Sequence, residues 1–193
     1  MPVSTRIIRR RMKSVTNTRK ITKAMELVAG AKMRKSVQMT LASRDYAETI
    51  RSLVENIRSL VDPTSHPLLE RRESNVEGRG SVCAIASSDR GLCGGFNAQI
   101  LKKALEHIRS RTGEDVDVVT IGHRAEQAMK RAGLHILASF DAISNAPSYA
   151  RTLPIGTLLS DEFLSGRAAS VFIVYMNFTS AVTQTPIVTQ LLP

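Results

Sequence analysis

Apolar residues recur in steps of three and four along the first third of the chain. The series runs through Ile8, Met12, Val15, Ile21, Met25, Val28, Met33, Val37 and Leu41, then Ile50, Leu53, Val54, Ile57, Leu60 and Val61. The steps are loose in the first half and follow i, i+3, i+4, i+7 in the second, which is the period of a helix. Between Pro2 and Pro63 there is no proline and a single glycine, Gly30. The spacing therefore predicts one helix from about Ser4 to Val61, capped by Ser4 or Thr5 and ended by Asp62-Pro63. At 1.5 Å per residue such a helix spans roughly 85 Å. A compact domain built from the other ~130 residues would have a radius of gyration near ~14 Å. It is too small to cover the helix, so most of the stripe is expected to pack against another helix or another protein.

A polar linker follows (Pro63 to Gly80, with Pro67 and Gly78), and then the pattern changes to short β-branched runs alternating with helical stretches. Strands are expected at 82–86, 116–121, 134–138, 171–178 and 187–192, and helices at 97–111, 125–132 and from Ser148 or Pro154 to Leu164. Alternating strand and helix predicts a Rossmann-like α/β domain with a mostly parallel sheet, and the last two strands, joined by a turn, give it an antiparallel edge. The expected organisation is a shaft helix over 1–62, a linker over 63–80 and an α/β domain over 81–193.

Charge changes this picture most. Residues 1–35 carry eleven basic side chains (Arg6, Arg9, Arg10, Arg11, Lys13, Arg19, Lys20, Lys23, Lys32, Arg34, Lys35) against one acid, Glu26, which equals the formal net charge of +10 for the whole chain. A solvated charged face would intersperse opposite signs to form i,i+4 pairs, and this one does not. Cations in the first turns also oppose the helix dipole. Their use is external: an acidic protein, a phosphate backbone or an anionic membrane. A basic helix can follow phosphates, so a nucleic-acid-binding module is the alternative reading. The helix lacks a base-reading set, however, and its apolar stripe would be wasted on DNA. A membrane-surface helix calls for bulky apolar residues, whereas Ala24, Met25, Ala29, Gly30, Ala31 and Met33 are small or flexible. Small residues permit close approach of a second helix, so a protein partner is favoured.

The other conspicuous string is Ser88-Asp89-Arg90-Gly91-Leu92-Cys93-Gly94-Gly95-Phe96-Asn97, between a strand and a helix where phosphate-cradling loops occur. Its glycine spacing fits neither the dinucleotide fingerprint nor the P-loop. A tight turn is favoured, with a partner-contact surface nearly as plausible because Asp89 and Arg90 place two charges on it. Cys93 lacks a supporting base motif, and the four histidines carry none. Asp115, Asp117 and the Asp161-Glu162 pair read as solvated charges near element ends. Cys83 and Cys93, ten residues apart, match no metal spacing and read as free thiols. Aromatics make up 4% with no Trp, against a base-stacking platform. No apolar run approaches the ~20 residues of a membrane span, and no secretory leader is read. Neither a catalytic site nor a cofactor or metal site is read from the residues.

Two strings carry a resemblance across the chain. Val15 to Ala29 with Ala31-Lys32-Met33-Arg34-Lys35 resembles the N-terminal helix of the gamma subunit of F-type ATP synthases, and Ser88 to Asn97 resembles that family's SDRGLCGGFN turn. Asp45-Tyr46-Ala47-Glu48, Gln184-Thr185-Pro186 and Gln190 to Pro193 are similar to the family in the same order. The resemblance implies a non-catalytic central-stalk rotor subunit that couples proton flow through the membrane sector to ATP synthesis on the beta subunits. It implies alpha, beta and epsilon subunits and the membrane c-ring as partners, no nucleic acid and no cofactor. It places the chain peripherally, on the cytoplasmic face of a bacterial membrane. By similarity, Arg9, Arg10, Lys20, Lys23 and Met25 of the helix and Asp89, Arg90, Gly91, Cys93 and Gly94 of the turn are expected at the partner interface, facing acidic loops of the beta subunits. The family's shaft is an antiparallel coiled coil with a C-terminal helix. No second long helix is read in these 193 residues, and a truncated product or sequence fragment is expected.

Overall fold

Helix α1 runs from Thr5 to Leu60, 56 residues, in a computed structural model that describes residues 4–72, 80–111, 113–143 and 147–193. Gly78 of the expected linker lies outside the described residues. The amides of Ile7 and Ile8 turn back to the Ser4 carbonyl, which fixes the start where the polar residues allow it. Helix-compatible hydroxyls satisfy themselves within α1: Thr16 donates to the Met12 carbonyl at 2.8 Å and Thr49 to that of Asp45 at 2.7 Å. None of its residues is buried. Met12, Val15, Ile21, Leu27 and Val28 all stand exposed. Most helical stability in proteins comes from packing of an apolar face, and the apolar side chains of α1 have no such packing among the described residues of this chain. Residues 1–60 form one compact unit and 61–193 the other.

In the second unit the strands are β1 (Gly80–Ala86), β2 (Val116–Ile121), β3 (Ile136–Phe140), β4 (Ala168–Phe178) and β5 (Gln184–Leu192). Between them lie the helices α2 (Phe96–Ser110), α3 (His123–Arg131) and α4 (Tyr149–Leu164). The sheet order is β3-β2-β1-β4-β5, parallel except for β5. This is the expected α/β architecture with an antiparallel edge. Alternation along β1 builds two cores. Val82 and Ala84 meet Ile155, Leu159 and Phe163 of α4. Cys83 and Ile85 meet Ile100 and Ala104 of α2 and Ala125 and Met129 of α3. The chain moves outward from β1 to β2 and β3, then returns across β1 to β4. The carboxyl end of β1 therefore lies where the strand order reverses, the usual place for a functional loop in such sheets.

Several local details refine or correct the sequence expectation. β3 begins at Ile136 and not Leu134, because Leu134 closes α3: its amide reaches the Met129 carbonyl at 3.2 Å and that of Gly133 reaches Lys130 at 3.1 Å, a Schellman end. α4 begins at Tyr149, the earlier of the two expected starts, and carries Pro154 within it. β5 begins at Gln184, where backbone pairing to Phe178 extends it past the apolar run. Glu162 is not a solvated charge: it is 8% exposed and accepts two 2.8 Å hydrogen bonds from Arg167. Asp117 is half-buried and meets His135 Nδ1 at 2.6 Å.

Candidate functional site

On α1 the side chains of Arg9, Arg10, Lys20, Lys23 and Met25 are all exposed. At ~100° per residue, Arg6, Arg9, Lys13, Lys20 and Lys23 share about 100° of arc. Arg10 lies just beyond this band, and Met25 falls on roughly the opposite side, among the apolar positions. The basic residues are not confined to this band: Arg11, Arg19 and Lys32 fall among the apolar positions and Leu27 falls inside the band, so basic and apolar side chains interleave around the helix. Lys23 pairs with Glu26 at 2.9 Å, an i,i+3 contact between two exposed side chains of little energetic weight.

The turn after β1 is closed on itself. Ser88 N donates to Asn97 Oδ1 at 3.1 Å, and Asn97 Nδ2 donates to Cys93 Sγ at 3.0 Å, so the first residues of α2 tie both limbs of the turn together. The Ser88 hydroxyl donates to the Arg90 carbonyl. The first turn of α3 braces it from outside: Arg124 N donates to the Ser88 carbonyl at 3.1 Å, and Ala125 N to Ser87 Oγ at 2.8 Å. That approach requires Gly122, with φ +94°, where a Cβ would lie 2.4 Å from the Ser87 carbonyl oxygen. Asp89 is half-buried and accepts from Ala142 N at 3.2 Å, which anchors the turn to the loop after β3.

Arg90, Gly91, Cys93 and Gly94 are exposed. Gly94 takes φ +58°, and so does its neighbour Leu92, at φ +64°, with a side chain 93% exposed. The sequence reading passed over Leu92, since nothing in the residue type announces a left-handed backbone. Cys93 Sγ meets Asn97 Nδ2, Ser88 Oγ at 3.8 Å and the Arg90 carbonyl at 3.9 Å, none of which can act as a base. The turn can present side chains to a partner; it is not arranged to activate a nucleophile.

Other titratable groups are engaged locally. His123, Glu126 and Asp141 bring one potential ligand atom each within 4.8 Å of one another. Glu126, however, holds Lys130 at 2.5 Å and His123 at 3.3 Å, while His123 Nε2 meets Gln127 at 2.9 Å. The Lys130 hydrogen bond holds the Glu126 carboxyl below its usual range. This is a surface ion-pair network centred on the half-buried Glu126. Burial pushes the Cys83 thiol up to about 12 and holds His107 below the ordinary imidazole range. His107 rests on Phe172 with ring centroids 4.7 Å apart, while Arg111 lies 4.1 Å above the same ring and donates to Glu114 at 2.8 Å. No described helix is long and apolar enough to cross a membrane.

The family model described as ATP synthase matches residues 4–193. The ATP synthase gamma chain of Legionella pneumophila (strain Corby) is 35% identical over 188 residues, 96% of this chain and 64% of that protein. The ATP synthase gamma chain of Nitrosomonas europaea is 36% identical over 192 residues, 98% of this chain and again 64% of that protein. The chain thus spans slightly less than two thirds of the length of these relatives. In structure it is similar to the central stalk and c-ring of the Tetrahymena thermophila mitochondrial ATP synthase, with a TM-score of 0.66 at 19% identity over 90% of this chain and 72% of that one. The rotor of the Euglena gracilis mitochondrial ATP synthase aligns with a TM-score of 0.60 at 14% identity, over 97% of this chain and 62% of that one. At these identities the structural likeness shows the fold.

Proposed function

The chain belongs to the ATP synthase family, and from that premise we propose that it is the gamma-type central-stalk rotor subunit, transmitting rotation driven by proton flow to ATP synthesis on the beta subunits. One observation carries the reading: α1 has 56 residues and buries none of them, while residues 1–35 concentrate the whole net charge of +10. A helix with that surface is built to be enclosed by something other than its own domain. Among the described residues the next longest helix has 16 residues, so a second helix that covers the exposed apolar side chains of α1 is proposed to come from outside these 193 residues.

A rotor works by differential contact. A symmetric shaft would meet each surrounding subunit alike and shift no equilibrium, because a ligand or contact moves a conformational balance only by its difference in affinity for the two states. The uneven spread of charge on α1, where Arg6, Arg9, Lys13, Lys20 and Lys23 share about 100° of arc, supplies the required asymmetry. Arg9, Arg10, Lys20 and Lys23 are proposed to meet acidic loops of the beta subunits within a ring of alpha and beta subunits. The turn carrying Asp89, Arg90, Gly91, Cys93 and Gly94 is proposed to meet the beta subunits as well, and the exposed Met25, on another side of α1, to face a partner of its own within the ring. The α/β unit is proposed to rest on the epsilon subunit and the c-ring, which would hold the chain peripherally on the cytoplasmic face of a bacterial membrane.

Co-expression with alpha and beta subunits of a close bacterial relative tests this. Affinity purification of the tagged chain is expected to retrieve both, in a complex whose ATP hydrolysis depends on the chain. A chain that retrieves neither, yet binds duplex DNA with steep salt dependence, would return the nucleic-acid alternative, which the comparisons do not support.

A further inference from the structure

Leu92 combines two properties that conflict within the chain itself. Its backbone is left-handed, φ +64°, a conformation that glycine adopts freely and that strains a bulky L-residue. Its side chain is 93% exposed, so it gains no packing in return. The turn draws on glycine at 91, 94 and 95, and a glycine at 92 would satisfy the same backbone without strain. Strained positions persist where the surrounding structure over-determines them, and they gather at functional contacts. The surroundings here are over-determined: Asn97 binds Ser88 and Cys93, Asp89 binds the Ala142 amide, and Arg124 N binds the Ser88 carbonyl. The side chain is held outward from a braced turn at the point where the strand order of the sheet reverses.

Positive charge flanks it. Arg90 is exposed two residues before it, and the Arg124 guanidinium lies over Gly91, 3.1 Å from where a Cβ would stand. We propose that Leu92 is the anchor of this docking surface: an apolar knob that enters a pocket on a protein partner, with acidic side chains at the pocket rim meeting Arg90 and Arg124. The inference rests on the rotor reading, in which that partner is the beta subunit, and it names the residue on which the contact turns. A turn whose backbone is already braced in its docking conformation loses little backbone freedom on binding.

The full chain and its Leu92→Gly and Leu92→Met variants are compared for dissociation from an immobilised alpha–beta complex and for thermal unfolding alone. Leu92→Gly is expected to unfold at the same temperature or higher, because strain is relieved, yet to bind about tenfold more weakly or worse, as loss of a central apolar anchor does. Leu92→Met, which keeps the apolar volume, is expected to bind within about threefold of the original chain. Wild-type binding by Leu92→Gly would overturn the anchor and leave the rotor reading standing. A clear fall in its unfolding temperature would show that the side chain serves the fold and would also overturn it. Failure of the unaltered chain to bind the alpha–beta complex would remove both.

Discussion

Arg167 holds Glu162 through two parallel hydrogen bonds of 2.8 Å, Nε to Oε2 and Nη2 to Oε1. The carboxylate is 8% exposed, whereas the arginine side chain is 63% exposed, so the pair joins a shielded charge at the end of α4 to a solvated one at the start of β4. The Arg167 hydrogen bonds hold the Glu162 carboxyl below its usual 4.5. Because the folded value is depressed, the unfolded chain takes up the proton first. The pair's contribution is fully present above about pH 4.5 and is lost as pH falls through the folded value. Glu162→Gln is expected to lower stability by on the order of 1 kcal/mol at pH 7, a figure reduced for the solvated arginine. The difference from the original chain is expected to shrink below about pH 4.5 in urea titrations.

His107 acts in the same direction at higher pH. Burial is the main cause of its lowered value, Arg111 and Lys103 add to it, and Glu114 opposes them. The folded protein prefers the neutral ring against Phe172, so stability is unaffected above 6.5 and declines as pH falls below it, where the unfolded chain is protonated first. His107→Gln, measured by melting temperature from pH 7.5 to 5, is expected to flatten that decline.

The two cysteines are expected to separate kinetically. Cys93 is exposed and Cys83 is buried with its thiol pushed up to about 12. A thiol reagent at pH 8 should label one cysteine within the mixing time of an ordinary assay and the second at the rate of global unfolding. Asn97→Ala frees Cys93 Sγ from its 3.0 Å contact and should speed the first phase without touching the second. Two fast equivalents in the native protein would refute the assignment.

Two glycines should respond oppositely to alanine. Gly30 lies within α1 with nothing within 4 Å of a Cβ, so Gly30→Ala should stabilise the helix by about 0.5–1 kcal/mol. Gly122 has φ +94° and the Ser87 carbonyl in the way, so Gly122→Ala should cost at least about 1–3 kcal/mol. Circular dichroism melts read both.

The long helix was legible because no proline and only Gly30 interrupt residues 5–60 and the apolar period tightens in its second half; β1 and β2 were legible because their apolar runs are bounded by polar residues. Legibility failed where backbone bonds carry the structure. Leu134 looks like the first residue of a strand, but its amide is committed to Met129. Gln184 and Thr185 look like loop, but pair with Phe178 and Asn177 through the main chain. Glu162 hides because its partner lies five residues on, across a helix end, and no local pattern marks a carboxylate for shielding. At the turn the glycines could be read, whereas the left-handed Leu92 could not, because the rule that reads turns assigns that backbone to glycine.

Helix α1, with no buried residue, also bears on how much of this protein a cell keeps. A helix that buries nothing opens at little cost, and cleavage by a protease follows the population of open chain. A binding partner that recognises only the formed helix lowers that population in proportion to its own free concentration. Where a partner encloses residues 5–60, their resistance to proteolysis is expected to follow the supply of that partner, so copies made in excess of it would be cleaved first.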